Sequence, residues 1–231
     1  MSKLENVVRV EEKYIISNSK KIELLEKLKE NLIYDENSID GKYSVRTLYF
    51  DTPNCQDYQD KVNEKLQRKG IRMRVYNVND NSAKIELKRK DNSIQNKISL
   101  TISKDDAKQL LKQDYECLKN YNSEIALQLY DTLKSNCYAP KTLILYDRYA
   151  FECPNTKLRV TIDSNLTTSN LEFDLWSMNI ETIPVGKTDE HILEVKKIGE
   201  LPDEIKNILY PLDVTKTPSS KYKRCCKFLS L

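Results

Sequence analysis

The chain has 231 residues, of which 39% are hydrophobic and 32% are charged, and its formal net charge is +3. This length suits one large domain or a single β-barrel, and no run approaches the ~20 apolar residues that cross a bilayer. The chain has four glycines, which excludes a collagen-like repeat, and its 14 tyrosines and regular apolar alternation argue against disorder. We therefore expect one folded domain over residues 1–231, without a membrane segment.

Six cysteines and one histidine limit the metal and redox chemistry of the chain. No Cys-x-x-Cys pair occurs, so a structural zinc site is not expected. The first residues lack the apolar stretch of a secretion signal. We therefore predict a cytoplasmic location, where the cysteines stay reduced as free thiols.

Apolar periodicity predicts the secondary structure. In chain order, the predicted elements are a strand near 7–16, a helix near 19–34, strands near 43–51, 69–77, 82–90 and 95–102, helices near 104–119 and 123–135, strands near 142–152, 157–163 and 190–197, and helices near 203–209 and 219–229. The first helix is expected to carry Ile22, Leu25, Leu28 and Leu32 on one face. Residues 164–189 show neither period. The pattern predicts an α+β fold with a largely antiparallel sheet or barrel.

Most predicted strands carry their charges on one face, because residues i and i+2 of a strand point the same way. Arg72 and Arg74, for example, alternate with Ile71, Met73 and Val75. Basic residues dominate these polar faces. The basic members are Lys13, Arg46, Arg72, Arg74, Lys84, Lys88, Lys90, Lys97, Arg148, Lys157, Arg159 and Lys196, and the acidic members are Glu11, Glu86, Glu152, Asp163 and Glu194.

Two interpretations fit this pattern. A sheet with one solvated face explains the alternation. However, like charges that face each other across strands destabilise a sheet, so a bound anion would have to compensate them. In a closed eight-stranded barrel the charged faces would line a tunnel, and that tunnel would suit a ligand with many phosphates. The few inward carboxylates would then bind Mg²⁺ or Mn²⁺ together with phosphate oxygens.

Eight short segments of the chain resemble, in sequence and in order, motifs of a known protein family. They are Arg9–Tyr14, Val45–Thr52, Arg68–Tyr76, Ile85–Lys90, Tyr146–Phe151, Leu158–Asp163, Leu193–Lys196 and Ser219–Tyr222. On these segments, which follow the family's order, the chain resembles the VTC domain, the polyphosphate polymerase branch of the triphosphate tunnel (CYTH-like) enzymes. The resemblance implies an eight-stranded antiparallel β-barrel with flanking helices and a basic interior.

The resemblance also implies a reaction and its residues. The enzyme would transfer the γ-phosphate of ATP onto inorganic polyphosphate with a divalent metal, Mn²⁺ or Mg²⁺, and nucleic acid is not expected as a partner. The implied catalytic set is Lys13, Arg72, Arg74, Lys88, Arg148, Arg159 and Glu194. The implied phosphate ligands are ten basic residues, namely Lys13, Arg46, Arg72, Arg74, Lys88, Lys97, Arg148, Arg159, Lys196 and Lys221. The implied metal ligands are Glu194 and Glu11.

One departure from the superfamily pattern bears on the reaction. Hydrolytic branches begin with Glu-x-Glu-x-Lys, whereas this chain reads Arg9-Val-Glu11-Glu12-Lys13. Arginine at the first position removes one metal-binding carboxylate, which favours transfer to phosphate over two-metal activation of water. Because Glu11 is retained, a metal-dependent triphosphatase stays an alternative. A module that binds polyphosphate or nucleotide without catalysis is the non-enzymatic alternative.

Overall fold

The computed structural model describes residues 9–38, 40–92, 94–209, 215–217 and 220–230. The strands are β1 (Arg9–Ile16), β2 (Ile33–Tyr34), β3 (Tyr43–Asp51), β4 (Gln67–Val75), β5 (Ser82–Asp91), β6 (Ile94–Ser103), β7 (Ala139–Glu152), β8 (Arg159–Ser169), β9 (Ile183–Pro184), β10 (His191–Ile198) and β11 (Thr215–Lys216). The helices are α1 (Asn18–Asn31), α2 (Gln56–Val62), α3 (Lys104–Leu111), α4 (Glu124–Ser135), α5 (Asp203–Leu209) and α6 (Lys221–Phe228), with a 3₁₀ helix at Glu116–Tyr121.

The chain forms two compact units. The first, unit 1, comprises Met1–Tyr43, Tyr146–Leu166 and Gly186–Ser219, and unit 2 comprises Ser44–Leu145, Thr167–Val185 and Ser220–Leu231. In unit 1 the strand order is β11-β1-β10-β8-β7, with β2 also on β7. In unit 2 the order is β8-β7-β3-β4-β5-β6, with β9 also on β8. The long strands β7 and β8 contribute residues to both units.

The predicted α+β class, with an antiparallel sheet and flanking helices, is confirmed. The eight long strands occur where the alternation predicts them. The pairing differs in detail from a closed eight-stranded barrel, because the two-residue strands β2, β9 and β11 raise the number to eleven. Among the described pairings β11 ends the order in unit 1 and β6 ends it in unit 2, so neither unit closes by itself.

The core of unit 1 lies on the apolar face of β1, β10 and β8, where helices α1 and α5 cover it. Helix α1 begins after Ser17, whose side chain accepts a hydrogen bond from the third residue of the helix. It buries Leu24 and Leu28, which lie one turn apart on the same helix face. The expectation that Ile22 belongs to this face is wrong, because its side chain is 51% exposed.

The core of unit 2 lies on the apolar face of β3, β4, β5 and β6, beneath α3 and α4. Alternate residues such as Met73 and Ile85 contribute to it from the strands, and Leu110 and Leu129 contribute from the helices. The predicted helix near 104–119 is two elements. Gln113 has a left-handed backbone (φ 63°), which ends α3 before the 3₁₀ helix starts.

Helix α2 is not predicted from the sequence, because the groups that stabilise its first turn lie outside the helix. Its seven residues lack a regular apolar period, and Cys55 before it offers no side-chain cap. Instead the carboxylate of Asp51, at the end of β3, accepts hydrogen bonds from the backbone N–H groups of Asp57 and Tyr58, each at 3.0 Å.

The structure shows the state of the cysteines and the hydropathy of the helices. The six cysteines are free thiols, and Cys117, Cys225 and Cys226 are buried. In the ranges that the structure describes, no helix has both the length and the hydropathy needed to cross a membrane.

Asp57 makes the stability of the protein depend on pH. Its carboxyl group is buried in α2, one oxygen accepts a hydrogen bond from the Tyr138 hydroxyl at 2.8 Å, and the other has no partner among the described residues. Burial raises the pKa of Asp57 to about 7 from its ordinary value of 3.8. Between about pH 4 and pH 7 the folded state therefore binds a proton that the unfolded chain releases, so stability falls as the pH rises.

We predict that Asp57→Asn removes this loss. Since one pKa unit corresponds to about 1.4 kcal/mol, the parent protein should lose up to about 4 kcal/mol of unfolding free energy between pH 4 and pH 8 relative to Asp57→Asn. Urea unfolding at both pH values measures the difference. Asp105→Asn, which removes an exposed carboxyl group from the first turn of α3, is the control. Parallel pH profiles for the parent and Asp57→Asn would contradict the prediction.

Candidate functional site

Strand pairing in unit 1 places charged residues in rows across β1, β10 and β8. The residues of these rows share one face of the sheet, opposite the core. The rows are Lys13–Glu194–Thr161 and Glu11–Lys196–Arg159. We call this surface, together with Asp163 on β8, the unit 1 polar face.

Two carboxylates and two lysines alternate on this face. The Glu194 side chain is 7% exposed, one of its oxygens pairs with Lys196 Nζ, and the other lies 3.9 Å from Lys13 Nζ. Glu11 lies 2.7 Å from Lys13 Nζ and 3.9 Å from Lys196 Nζ. Burial and the nearby Glu194 act to raise the pKa of Glu11, but the two lysines outweigh them and lower it. Glu11 is therefore ionised at neutral pH.

Arg148 is held by a buried carboxylate. Its guanidinium donates to both oxygens of Asp163, at 2.7 and 2.8 Å, and both side chains are buried. Burial opposes the charged form, yet Asp163 and, more weakly, Glu194 raise the pKa of Arg148 well above its ordinary value. The guanidinium is thus permanently charged and held in one orientation by a bidentate contact.

Arg159 is similarly engaged by acidic groups. Its guanidinium lies 2.5 Å from an oxygen of Asp35 and 2.5 Å from one of Glu152, and it also donates to the Tyr43 hydroxyl at 3.1 Å. Beside it is a cavity of about 360 Å³ whose lining includes Glu152 and Lys157. Asp35 is not among the predicted site residues, because it lies more than 100 residues from Arg159 and no local pattern links the two.

Unit 2 carries a second charged face on β4, β5 and β6. The pairings set its residues in three rows. The rows are Arg74–Lys84–Thr101, Arg72–Glu86–Ser99 and Gly70–Lys88–Lys97, and we call this surface the unit 2 polar face.

Glu86, in the middle row of the unit 2 polar face, pairs with two of its cations. Its side chain is 3% exposed and accepts from Arg72 Nε at 2.6 Å and from Lys97 Nζ at 2.9 Å. Burial acts against its ionisation, but Arg72, Arg74 and Lys97 lower the pKa of Glu86 far below its usual range. Glu86 is therefore ionised throughout the physiological pH range and fixes the orientation of Arg72.

The neighbouring row is open to solvent and rich in positive charge. Lys88 is exposed and faces Lys97 directly across the strands, an arrangement that destabilises a sheet unless an anion lies nearby. On the other side of Lys88 is Gly70, and apart from its two chain neighbours no described residue has an atom within 4 Å of the position that a Cβ would occupy there. The row can thus admit an anion between strands β4 and β6.

Arg46 lies on the other side of the sheet. In β3 it lies on the same face as the buried Leu48 and Phe50, whereas Thr47, which pairs with Arg74, lies on the opposite face. Its guanidinium donates to the backbone oxygens of Leu175 at 3.0 Å and Ser177 at 2.5 Å. The structure therefore does not bring Arg46 to the unit 2 polar face, and its contacts fix the segment that contains Leu175.

Lys221 begins helix α6, whose first turn is anchored in unit 2. Ser220 caps the helix, and the Tyr222 hydroxyl donates to Asp51 at 2.6 Å. The Tyr222 ring stacks on Tyr49, with ring centres 4.4 Å apart. Predicted helix 219–229 is confirmed over Lys221–Phe228, whereas Ser219 of the quoted motif lies outside the described residues.

The carboxylates on the unit 1 polar face set what metal chemistry is possible there. Among the described residues, no three His, Cys, Asp or Glu side chains are grouped so as to hold a metal ion by themselves. Glu11 and Glu194 provide two carboxylates, and Mg²⁺ is commonly held by one or two carboxylates together with substrate phosphates. The donor set thus fits a divalent cation that binds together with a phosphorylated substrate.

Comparisons with known proteins identify the family and the fold of the chain. The family model for the VTC domain matches residues 8–230. A protein from Bacillus halodurans, named as a candidate adenylate cyclase, is 15% identical with a TM-score of 0.55, and the match covers 93% of this chain and 94% of that chain. A protein from Hippeastrum, named as a candidate adenylyl cyclase with a dominant triphosphatase activity, is 14% identical with a TM-score of 0.57, and 93% of each chain is covered. No curated protein matches the chain. The two structures share the fold.

We predict that Asp163→Asn destabilises the protein by about 3–5 kcal/mol, because it leaves the buried Arg148 guanidinium without its carboxylate. Urea unfolding at pH 7 measures this loss. The control is Asp147→Asn, which changes a partly exposed carboxylate that accepts a hydrogen bond from Asn165 at 2.8 Å. That variant should lose about 1 kcal/mol or less. Equal losses of unfolding free energy in the two variants would show that the Arg148–Asp163 pair stabilises the protein no more than the Asp147 carboxylate does.

Proposed function

The chain belongs to the VTC domain family, and from that premise we propose that it is a polyphosphate polymerase, which transfers the γ-phosphate of ATP onto inorganic polyphosphate. The observation that carries this proposal is the unit 1 polar face, where Glu11 and Glu194 alternate with Lys13 and Lys196. Such an arrangement supplies both cation-binding oxygens and phosphate-binding ammonium groups. Phosphoryl transfer requires mainly these two elements, since catalysis rests on positioning and charge stabilisation.

On the unit 1 polar face we assign the roles as follows. Lys13 and Lys196 donate to phosphate oxygens as mobile point charges. Arg148, fixed by Asp163, adds a permanent positive charge near Glu194. Glu11 and Glu194 are the residues that would hold a divalent cation, Mn²⁺ or Mg²⁺, which when bound would neutralise charge on the phosphate oxygens.

On the unit 2 polar face the arginines and lysines bind phosphate groups. Arg72, whose Nε donates to Glu86 at 2.6 Å, contributes a positive charge of fixed orientation to this face. Arg74 makes long contacts to the hydroxyls of Thr47 at 3.3 Å and Tyr76 at 3.4 Å, which a phosphate can replace. Lys88 and Lys97 complete the set, and Lys221 is proposed as a further phosphate ligand because the anchor of Tyr222 fixes its helix.

The acceptor needs no strong general base. A terminal phosphate of polyphosphate already carries an ionised oxygen, so the protein has to align it rather than deprotonate it. His191, the single histidine, lies in β10 on the apolar side with Leu193 and Val195, and burial lowers its pKa. It therefore belongs to the helix-covered side of the sheet and has no place in the proposed reaction.

A triphosphatase is the second candidate. The observation that favours it is Glu11, which remains beside Glu194 and could help a cation to bind water. The Hippeastrum protein of the same fold, whose description gives a dominant triphosphatase activity, is consistent with this alternative. The products separate the two reactions, because a polymerase lengthens phosphate chains and a triphosphatase releases orthophosphate.

We predict that the purified protein, incubated with ATP and Mn²⁺, forms phosphate chains that lengthen with time on a gel that resolves chain length. Glu194→Ala should abolish this product while keeping the thermal unfolding temperature within a few degrees. Glu200→Ala, whose side chain is 91% exposed, is the control and should retain full activity. Orthophosphate without chains would establish the triphosphatase, and bound ATP without either product would indicate a binding module.

We also predict that Arg74→Ala weakens the binding of tripolyphosphate by about 10- to 100-fold, since a hydrogen bond between charged groups contributes about 1.5–3 kcal/mol. Isothermal titration calorimetry measures the affinity. Arg89→Ala is the matched control, because Arg89 lies on β5 on the opposite face of the sheet and contacts Gln128 at 3.2 Å. An equal effect of the two substitutions would mean that the unit 2 polar face does not bind phosphate.

A further inference from the structure

Thr161 is a buried polar residue of the unit 1 polar face. It lies on β8 directly opposite Glu194 of β10, in the row that also contains Lys13. Its side chain is 2% exposed, and its hydroxyl oxygen has no hydrogen-bond partner among the described residues. Buried hydroxyl groups are nearly always hydrogen-bonded, so this one requires an explanation.

The groups around Thr161 restrict what its partner can be. On its own strand Arg159 and Asp163 lie two residues away on the same face, and each is engaged in ion pairs of its own. Across the strand pair, the Glu194 carboxylate is engaged by Lys196 and Lys13. A hydroxyl among several cations can donate a hydrogen bond to an anionic oxygen, and such an oxygen would be drawn to this face by the same cations.

Thr161 differs in this respect from the other buried side chains without a hydrogen-bond partner. Ser164 and His191 lie on the alternating positions of β8 and β10 that point to the apolar side of unit 1, Asp57 lies in helix α2 of unit 2, and Ser38 lies outside the strands. Thr161 combines an unpartnered donor with the row of the proposed catalytic carboxylate. The location of the hydroxyl therefore points to a ligand of the functional face rather than to the core.

We propose that the Thr161 hydroxyl donates a hydrogen bond to a phosphate oxygen of the bound substrate, which makes Thr161 a substrate-binding residue of the unit 1 polar face. The ligand chemistry is that of a nucleoside triphosphate or an inorganic polyphosphate, both of which present such an oxygen. This inference rests on the proposed function only in that phosphate groups bind at this face. It does not depend on whether chains grow or are hydrolysed.

The test compares two variants of Thr161. Thr161→Val has nearly the same shape but lacks the hydroxyl, and Thr161→Ser keeps the hydroxyl but lacks the methyl group. Without ligand, Thr161→Val should unfold at the same or a higher temperature, because it removes an unsatisfied polar group. Its affinity for tripolyphosphate and for ATP, measured separately by calorimetry, should fall roughly 10-fold or more. Thr161→Ser should bind both ligands within about threefold of the parent.

Thr168→Val is the matched control. Thr168 is also buried on β8, but its hydroxyl donates to the backbone oxygen of Leu143 at 2.9 Å. Its replacement should lower the unfolding temperature and leave phosphate affinity unchanged. The control thus measures how the loss of a hydroxyl that bonds to the protein backbone changes stability and phosphate affinity.

The outcomes separate this inference from the proposed reaction. Unchanged affinity in Thr161→Val would overturn the inference, and so would a lower unfolding temperature without ligand, which would indicate a buried water or a structural contact. Loss of tripolyphosphate affinity alone, or of ATP affinity alone, would support the inference and identify which ligand reaches the hydroxyl. If Thr161→Val loses affinity while the parent protein makes no chains, the inference stands and the polymerase reaction is wrong. If the parent binds neither ligand, both are wrong.

Discussion

The charged faces of this protein depend on buried carboxylates that pair with cations of neighbouring strands. Asp163 binds Arg148 with both oxygens, and Glu86 lies between Arg72 and Lys97. A buried charge without a partner is strongly destabilising, so these pairs are a condition for folding rather than a gain in stability. Arg72 lies directly opposite Glu86, and Lys97 lies two residues along β6 from the residue opposite Glu86, so the register of the sheet decides which of these cations are compensated.

This compensation reduces the need for a bound anion to balance the basic residues. Clustered basic residues suggest that a bound anion must balance them, yet the structure shows that the chain balances many of them itself. A phosphate ligand must therefore exchange with a carboxylate at positions such as Lys13 and Lys196. Each exchange returns little free energy, because one charge-assisted contact replaces another. Such a site favours ligands that make many exchanges at once, which is the property of a phosphate chain.

The long strands could be predicted because alternation with period two is a local property of the chain. The face on which a charge lies was equally predictable wherever a strand alternates cleanly, as at Arg72 and Arg74. Arg46 belongs to a segment that implies phosphate binding, but that segment does not predict which side of the sheet the side chain is on. Its position in β3 places it on the apolar side, where backbone oxygens of Leu175 and Ser177 accept its hydrogen bonds. The α6 anchor between Asp51 and Tyr222 joins residues 171 positions apart. No local pattern contains that information.

Residues 164–189 were unreadable for a related reason. Strand β8 continues to Ser169, but Asn165 has a left-handed backbone (φ 54°) that interrupts the alternation. Beyond it the segment is held by single long-range contacts, such as the hydrogen bond from Trp176 Nε1 to the backbone oxygen of Asp80 at 2.7 Å. Contacts of this kind arise from the tertiary fold and leave no periodicity in the chain.

The state of Glu11 bears on the choice between transfer and hydrolysis. Activation of water needs a group that accepts a proton, and the efficiency of a general base depends on a pKa near the working pH. Lys13, at 2.7 Å, and Lys196 lower the pKa of Glu11, so its carboxylate is a weak base at neutral pH. An ionised phosphate oxygen needs no such base. The lowered pKa of Glu11 therefore agrees with its proposed role as a ligand of a divalent cation, and the proposed transfer to a phosphate oxygen does not require Glu11 to accept a proton.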